Sequence, residues 1–142
     1  MRYTLGKEEK LRHKNLVDGL FEKGRTLYEY PLRLTYRILS EEELSKSFRR
    51  GIPDRIGSLQ MLITVPKKKM KKAVDRVRMR RLIRETYRLN RLDLKASADN
   101  SEKIRTVSLG FIYLHGERCD YDFIESKMLK LLDKVKSECL GL

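Results

Sequence analysis

The chain has 142 residues, of which 40% are hydrophobic and 37% charged, enough for one domain with one modest core; its formal net charge of +13 calls for a polyanionic partner. No apolar run approaches the roughly 20 residues that span a bilayer, and nothing resembles a signal peptide, so a soluble, cytoplasmic protein outside the membrane is expected. Cys119 and Cys139 have neither the count nor the spacing of a disulfide framework or a CxxC metal site.

Residues 1–14 show no sustained periodicity and read as an irregular lead-in. Asn15 then offers an N-cap, Leu16/Leu20 and Val17/Phe21 supply i,i+4 pairs, and Gly24 ends a short helix. On composition alone Phe21 belongs in the core. From Leu32 to Leu39, Leu32, Leu34, Tyr36 and Ile38 alternate with Arg33, Thr35 and Arg37, the period of a strand with one buried face and one basic face. Residues 40–57 mix charges, Gly51, Pro53 and Gly57 without a period, and read as a long loop. Its three consecutive carboxylates, Glu41, Glu42 and Glu43, cannot all point one way on regular backbone, and read as solvated. A second, more apolar strand is expected over 59–65, ended by Pro66.

The next stretch, 67–91, holds twelve Lys or Arg against Asp75 and Glu85. A solvated helix face normally mixes both signs, and a membrane-surface helix needs a bulky apolar face. Here Arg76, Arg80, Arg84 and Arg88 recur every four residues, with Arg81 and Arg91 beside them. Met79, Leu82, Ile83, Thr86 and Leu89 occupy the other side. The pattern predicts a helix that packs one face and offers guanidinium groups on the other, suited to two-pronged contact with phosphate oxygens. Ala73, Val74 and Val77 fall opposite the apolar stripe, so either the first turn packs differently or they are partly exposed.

A polar break is expected over 94–103, followed by a third strand over 104–114 with Gly110 as a candidate bulge. Asp122 and Glu125 suggest a capping box opening a last helix, with Ile124, Met128, Leu131, Leu132 and Val135 on its buried face. The order helix-strand-strand-helix-strand-helix gives an α/β fold, an α+β sandwich with a small mixed sheet, in one domain spanning 1–142.

One segment is specific. Ala73, Val74, Arg76, Arg78, Arg80, Arg81, Arg84, Glu85, Tyr87 and Arg88 follow the Ala-Val-x-Arg-Asn-Arg-x-basic-Arg-x-x-Arg-Glu-x-aromatic-Arg signature of the bacterial ribonuclease P protein subunit, and Lys68-Lys69 resembles the Lys pair before it. Val77 stands where that family has Asn. Leu11, Arg12, Phe21 and Gly24 also match, with Val17 in place of the family's first aromatic. The resemblance implies a left-handed strand-helix-strand crossover, and binding of the catalytic RNA by Lys68, Lys69, Arg76, Arg78, Arg80, Arg81, Arg84 and Arg88. It also implies a cleft for the 5′ leader of precursor tRNA, with Arg12, Val17, Phe21, Arg33 and Arg37 as candidates.

No set of metal-holding carboxylates, general base and activated nucleophile is visible, and His13 and His115 are isolated. No catalytic residue and no metal ligand is therefore assigned. The resemblance implies a non-catalytic protein cofactor of an endoribonuclease ribozyme, with magnesium held by the RNA, and a monomeric protein is expected. The alternative is a general or ribosome-associated RNA-binding protein. A DNA-binding helix is disfavoured because the stretch offers almost no Asn or Gln for base edges.

Overall fold

The computed structural model describes residues 4–142; positions 1–3 of the expected irregular lead-in lie outside them. Four strands form one sheet in the order β1-β2-β4-β3, with β1 Arg25–Glu29, β2 Leu32–Leu39, β3 Leu59–Thr64 and β4 Thr106–Tyr113. β1 and β2 form an antiparallel hairpin, β2 and β4 are antiparallel, and β3 runs parallel to β4. The helices are α1 Lys14–Lys23, α2 Glu41–Lys46, α3 Ala73–Asn90, α4 Leu92–Asp99 and α5 Tyr121–Leu140.

The pleat explains the layers. On one sheet face Leu32, Leu34, Tyr36, Leu59, Met61, Val107, Leu109, Phe111 and Tyr113 are buried against α3, α4 and α5 in the main core. Tyr87 of α3 meets Phe111 edge to face, with ring centres 5.7 Å apart. The opposite face carries α1, whose Leu16 and Leu20 join Leu11, Leu39, Leu44 and Ile56 in a smaller cluster. Gly24 lets the end of α1 close onto β2, since a Cβ there would come 2.8 Å from Thr35 Cγ2.

Several expectations change. β1 went unread because its short run alternates no apolar residues, and it is stabilised by pairing with β2 from Arg25↔Tyr36 to Glu29↔Leu32. The 40–57 segment is not all loop: Ser40 caps α2, accepting from Glu43 N while Glu43 Oε1 accepts from Ser40 N. Lys7–Glu9 forms a 3₁₀ turn within the lead-in, and α4 fills most of the expected polar break. The N-cap of α1 is His13, and Asn15 instead donates to Ser47 O at 2.9 Å. α5 opens on Asp120, whose carboxylate accepts from Phe123 N, rather than on Asp122. Gly110 sits in regular register opposite Thr35 and Leu62, with no bulge. Its missing side chain makes room for α1: a Cβ would lie 3.1 Å from Leu20 Cδ2 and 3.3 Å from Phe21 Cζ.

Arg91 departs furthest from its expected place beside the arginine ladder. It is 1% exposed and donates from Nε to Glu9 Oε1 at 2.7 Å, from Nη2 to Glu9 Oε2 at 3.1 Å and from Nη1 to Arg88 O at 2.6 Å. This buried fork joins the C-terminal end of α3 to the segment that leads into α1.

Candidate nucleic-acid interface

α3 buries Met79, Ile83, Thr86 and Tyr87, while Leu89, expected on the packed stripe, is exposed. At about 100° per residue the direction opposite that core is occupied by Arg84, Arg88 and Arg81, with Arg80 and Arg78 at its two margins. Arg78, Arg81 and Arg84 are exposed and Arg80 is half-buried. Among the described residues Arg78, Arg80, Arg81 and Arg84 enter no ion pair, so their guanidinium groups are available to an external anion. Glu85 grips Arg88, accepting from Nε at 3.0 Å and from Nη2 at 2.5 Å. That hydrogen bond holds the Glu85 carboxyl below its ordinary range and raises the arginine further. Val74 and Val77 lie in the same outward arc, and Val74 is 59% exposed, so the first turn presents apolar surface between the arginines.

The lysines precede the helix rather than forming its first turn. Lys69 N and Met70 N both donate to Pro66 O, closing a turn over 67–69 whose lysines are exposed. Met70, 2% exposed, pins this turn into the core. Arg76 does not stand on the outer ladder: its Nη1 donates to Met70 O at 3.0 Å and to Lys71 O at 2.8 Å, so it fixes the lysine turn on the start of α3.

A second surface lies on the α1 side of the sheet. Phe21 is 47% exposed, and its ring edge lies over Gly110 rather than inside the core. Val17, one turn earlier on the same flank of α1, is half-buried against the smaller cluster. Arg33 shares this sheet face and is half-buried, with its Nε enclosed and unpartnered among the described residues. Its register neighbours are Tyr28, which is 62% exposed, and Ile112. Arg12 is exposed just ahead of α1. The result is a surface beside α1, called here the trough, on which the exposed rings of Phe21 and Tyr28 share a sheet face with Arg33; aromatic rings beside a cation are the combination that takes unpaired nucleotides. Tyr28 and Ile112 escaped the sequence reading because only strand pairing places them beside Arg33. Arg37 is not part of this trough: it lies beneath Gly19, where a Cβ would come 2.5 Å from Arg37 Nη1, on the other flank of α1.

The Ribonuclease P family pattern matches residues 5–136. The ribonuclease P protein component of Porphyromonas gingivalis strain W83 is 31% identical over 133 residues, covering 94% of this chain and 87% of that protein. That of Chlorobaculum tepidum is 36% identical over 112 residues, 78% of this chain and 67% of the relative. The chain belongs to the ribonuclease P protein family. Among solved structures, the RNase P protein of Thermotoga maritima superposes with a TM-score of 0.62 at 20% identity, covering 89% of this chain and 96% of that one. The Staphylococcus aureus RNase P protein gives 0.60 at 16% identity, covering 90% and 95%. These two likenesses establish the mixed α+β fold.

Among the described residues no group of three or more His, Cys, Asp or Glu is placed to hold a metal ion. His13 is packed edge to face on Phe48, and His115 shares a hydrogen bond with Tyr30 at 3.1 Å. None of the described helices is long and apolar enough to cross a membrane.

Proposed function

We propose that this chain serves as the protein component of ribonuclease P, binding the enzyme's RNA through the outer face of α3 and the 5′ leader of precursor tRNA through the trough beside α1. The observation that carries the reading is the set Arg78, Arg80, Arg81 and Arg84 on α3, free of ion pairs among the described residues, in a chain of this family. Together with Arg88, Lys68 and Lys69 they neutralise phosphates of the RNA subunit, and Arg76 positions the lysine turn. Phe21, Val17, Arg33 and Arg12 receive the leader, Phe21 by stacking and the arginines by charge. Hydrolysis at the 5′ end of mature tRNA is assigned to the RNA with its magnesium; the protein aligns and neutralises, working as a single chain in the cytoplasm.

The test is 5′ cleavage of a precursor tRNA at low magnesium by a bacterial ribonuclease P RNA, with and without the protein, beside protein alone. Cleavage is expected to need the RNA, to rise with the protein and to fall with Arg80→Ala/Arg84→Ala. Tight RNA binding without any stimulation would overturn the reading and leave a general RNA-binding protein.

A further inference from the structure

On the flank of α1 opposite Phe21 lies a groove of about 1190 Å³, walled by α1, by the end of α2 with residues 47–53, by the half-buried C-terminal part of β2, and by the end of α5. It is larger than one small-molecule site needs. Its wall is fixed rather than loose: Leu44 is fully buried, Asn15 ties α1 to Ser47 O, and Phe48 packs on His13 with ring centres 5.6 Å apart. The charges around it are unevenly committed. Arg25 pairs with Glu138, and Glu43 caps α2. Among the described residues Arg37, Arg49, Arg50 and Lys23 enter no ion pair, against the rim carboxylates Asp18 and Glu22. Ile38 and Phe48 give it an apolar lining.

We propose that this groove is a second RNA site, holding an unpaired segment of the catalytic RNA. The inference rests on the assignment of the chain to ribonuclease P. Guanidinium groups that lack internal partners bind phosphates two-pronged and offer planes on which bases stack, and Arg37, Arg49 and Arg50 line the groove together with the apolar Ile38 and Phe48. The precursor's leader is assigned to the Phe21 flank, and α1 stands between that trough and this groove. One leader strand would have to climb over the helix to enter both. The occupant of the groove is therefore the other RNA of the complex.

The decisive experiment places a photocrosslinking amino acid at Lys46 in the groove wall and, separately, at Leu89 on α3, in the full chain assembled with ribonuclease P RNA and precursor tRNA. Crosslinking from position 46 to the catalytic RNA is expected, alongside crosslinking from position 89. Crosslinks from 89 but none from 46 would overturn the groove while leaving the ribonuclease P reading intact; none from either would overturn both. A crosslink from 46 to the precursor alone would overturn the assigned occupant. In parallel, Arg49→Gln/Arg50→Gln, at exposed positions on the groove wall, is expected to weaken RNA binding and to lower the slope of log affinity against log salt by about 1.4, roughly 0.7 for each unpaired-strand phosphate no longer neutralised. Affinity and slope equal to wild type, with an unchanged circular dichroism spectrum, would refute the site.

Discussion

The Glu9–Arg91 pair gives the sharpest test of how the two surfaces are held in register. Both side chains are enclosed, at 4% and 1% exposure, and the carboxylate takes two N–H donors from one guanidinium. Glu9→Gln preserves shape but leaves a buried cation against a neutral amide. Breaking one partner of a buried pair costs about 3–5 kcal/mol, whereas an exposed pair such as Glu42–Lys46 is worth under ~1 kcal/mol. For a chain of this size a loss of that order lowers the midpoint of thermal unfolding by roughly 10–17 °C. The assay is a double-mutant cycle by urea and thermal unfolding on Glu9→Gln, Arg91→Met and the two together. The double variant should cost clearly less than the sum of the singles, because it strands no charge. Strictly additive singles, or a Glu9→Gln loss below about 1 kcal/mol, would refute the view that this fork joins the end of α3 to the entry of α1.

Two further outcomes follow from the site geometry and a third from a buried thiol in the core. Phe21→Ala should weaken binding of leader-bearing precursor by about 1–3 kcal/mol and leave leaderless tRNA unaffected, as equilibrium binding of the two RNAs would show. Arg81→Gln/Arg84→Gln should reduce affinity for the RNA subunit and flatten the salt dependence by about two slope units, read from titrations at several ionic strengths. Burial pushes the Cys139 thiol up from 9.0 to about 11, helped by the neighbouring Glu138 carboxylate. The native chain keeps a proton that the unfolded chain gives up, so this group's stabilisation is full below about pH 9 and lost as pH rises toward 11. Urea midpoints across that window should decline for wild type and decline less for Cys139→Ala.

Legibility in the sequence followed the range of the interactions involved. β2 announced itself because Leu32, Leu34 and Tyr36 alternate within a single strand, and α3 and α5 because their buried residues recur at helical spacing. α2 carried a readable signal in Ser40 and Glu43, a capping box obscured by the acidic run that contains it. β1 had none of its own; Arg25–Glu29 is extended because β2 lies opposite. The same distinction divides the arginines. Arg81 and Arg84 could be assigned from helical angle alone, since facing solvent is a local property. Arg76 looked equivalent to them, yet the backbone carbonyls of Met70 and Lys71 capture it. Arg91 differs most, because its partner Glu9 lies 82 residues earlier in the chain and no window of sequence contains both. A repeating charge pattern thus identifies a helix that presents cations, while the fold decides which of its charges remain available to an external anion. Here it diverts Arg76 and Arg91 into holding the presenting surface in place, and sets Arg37 in a groove of its own.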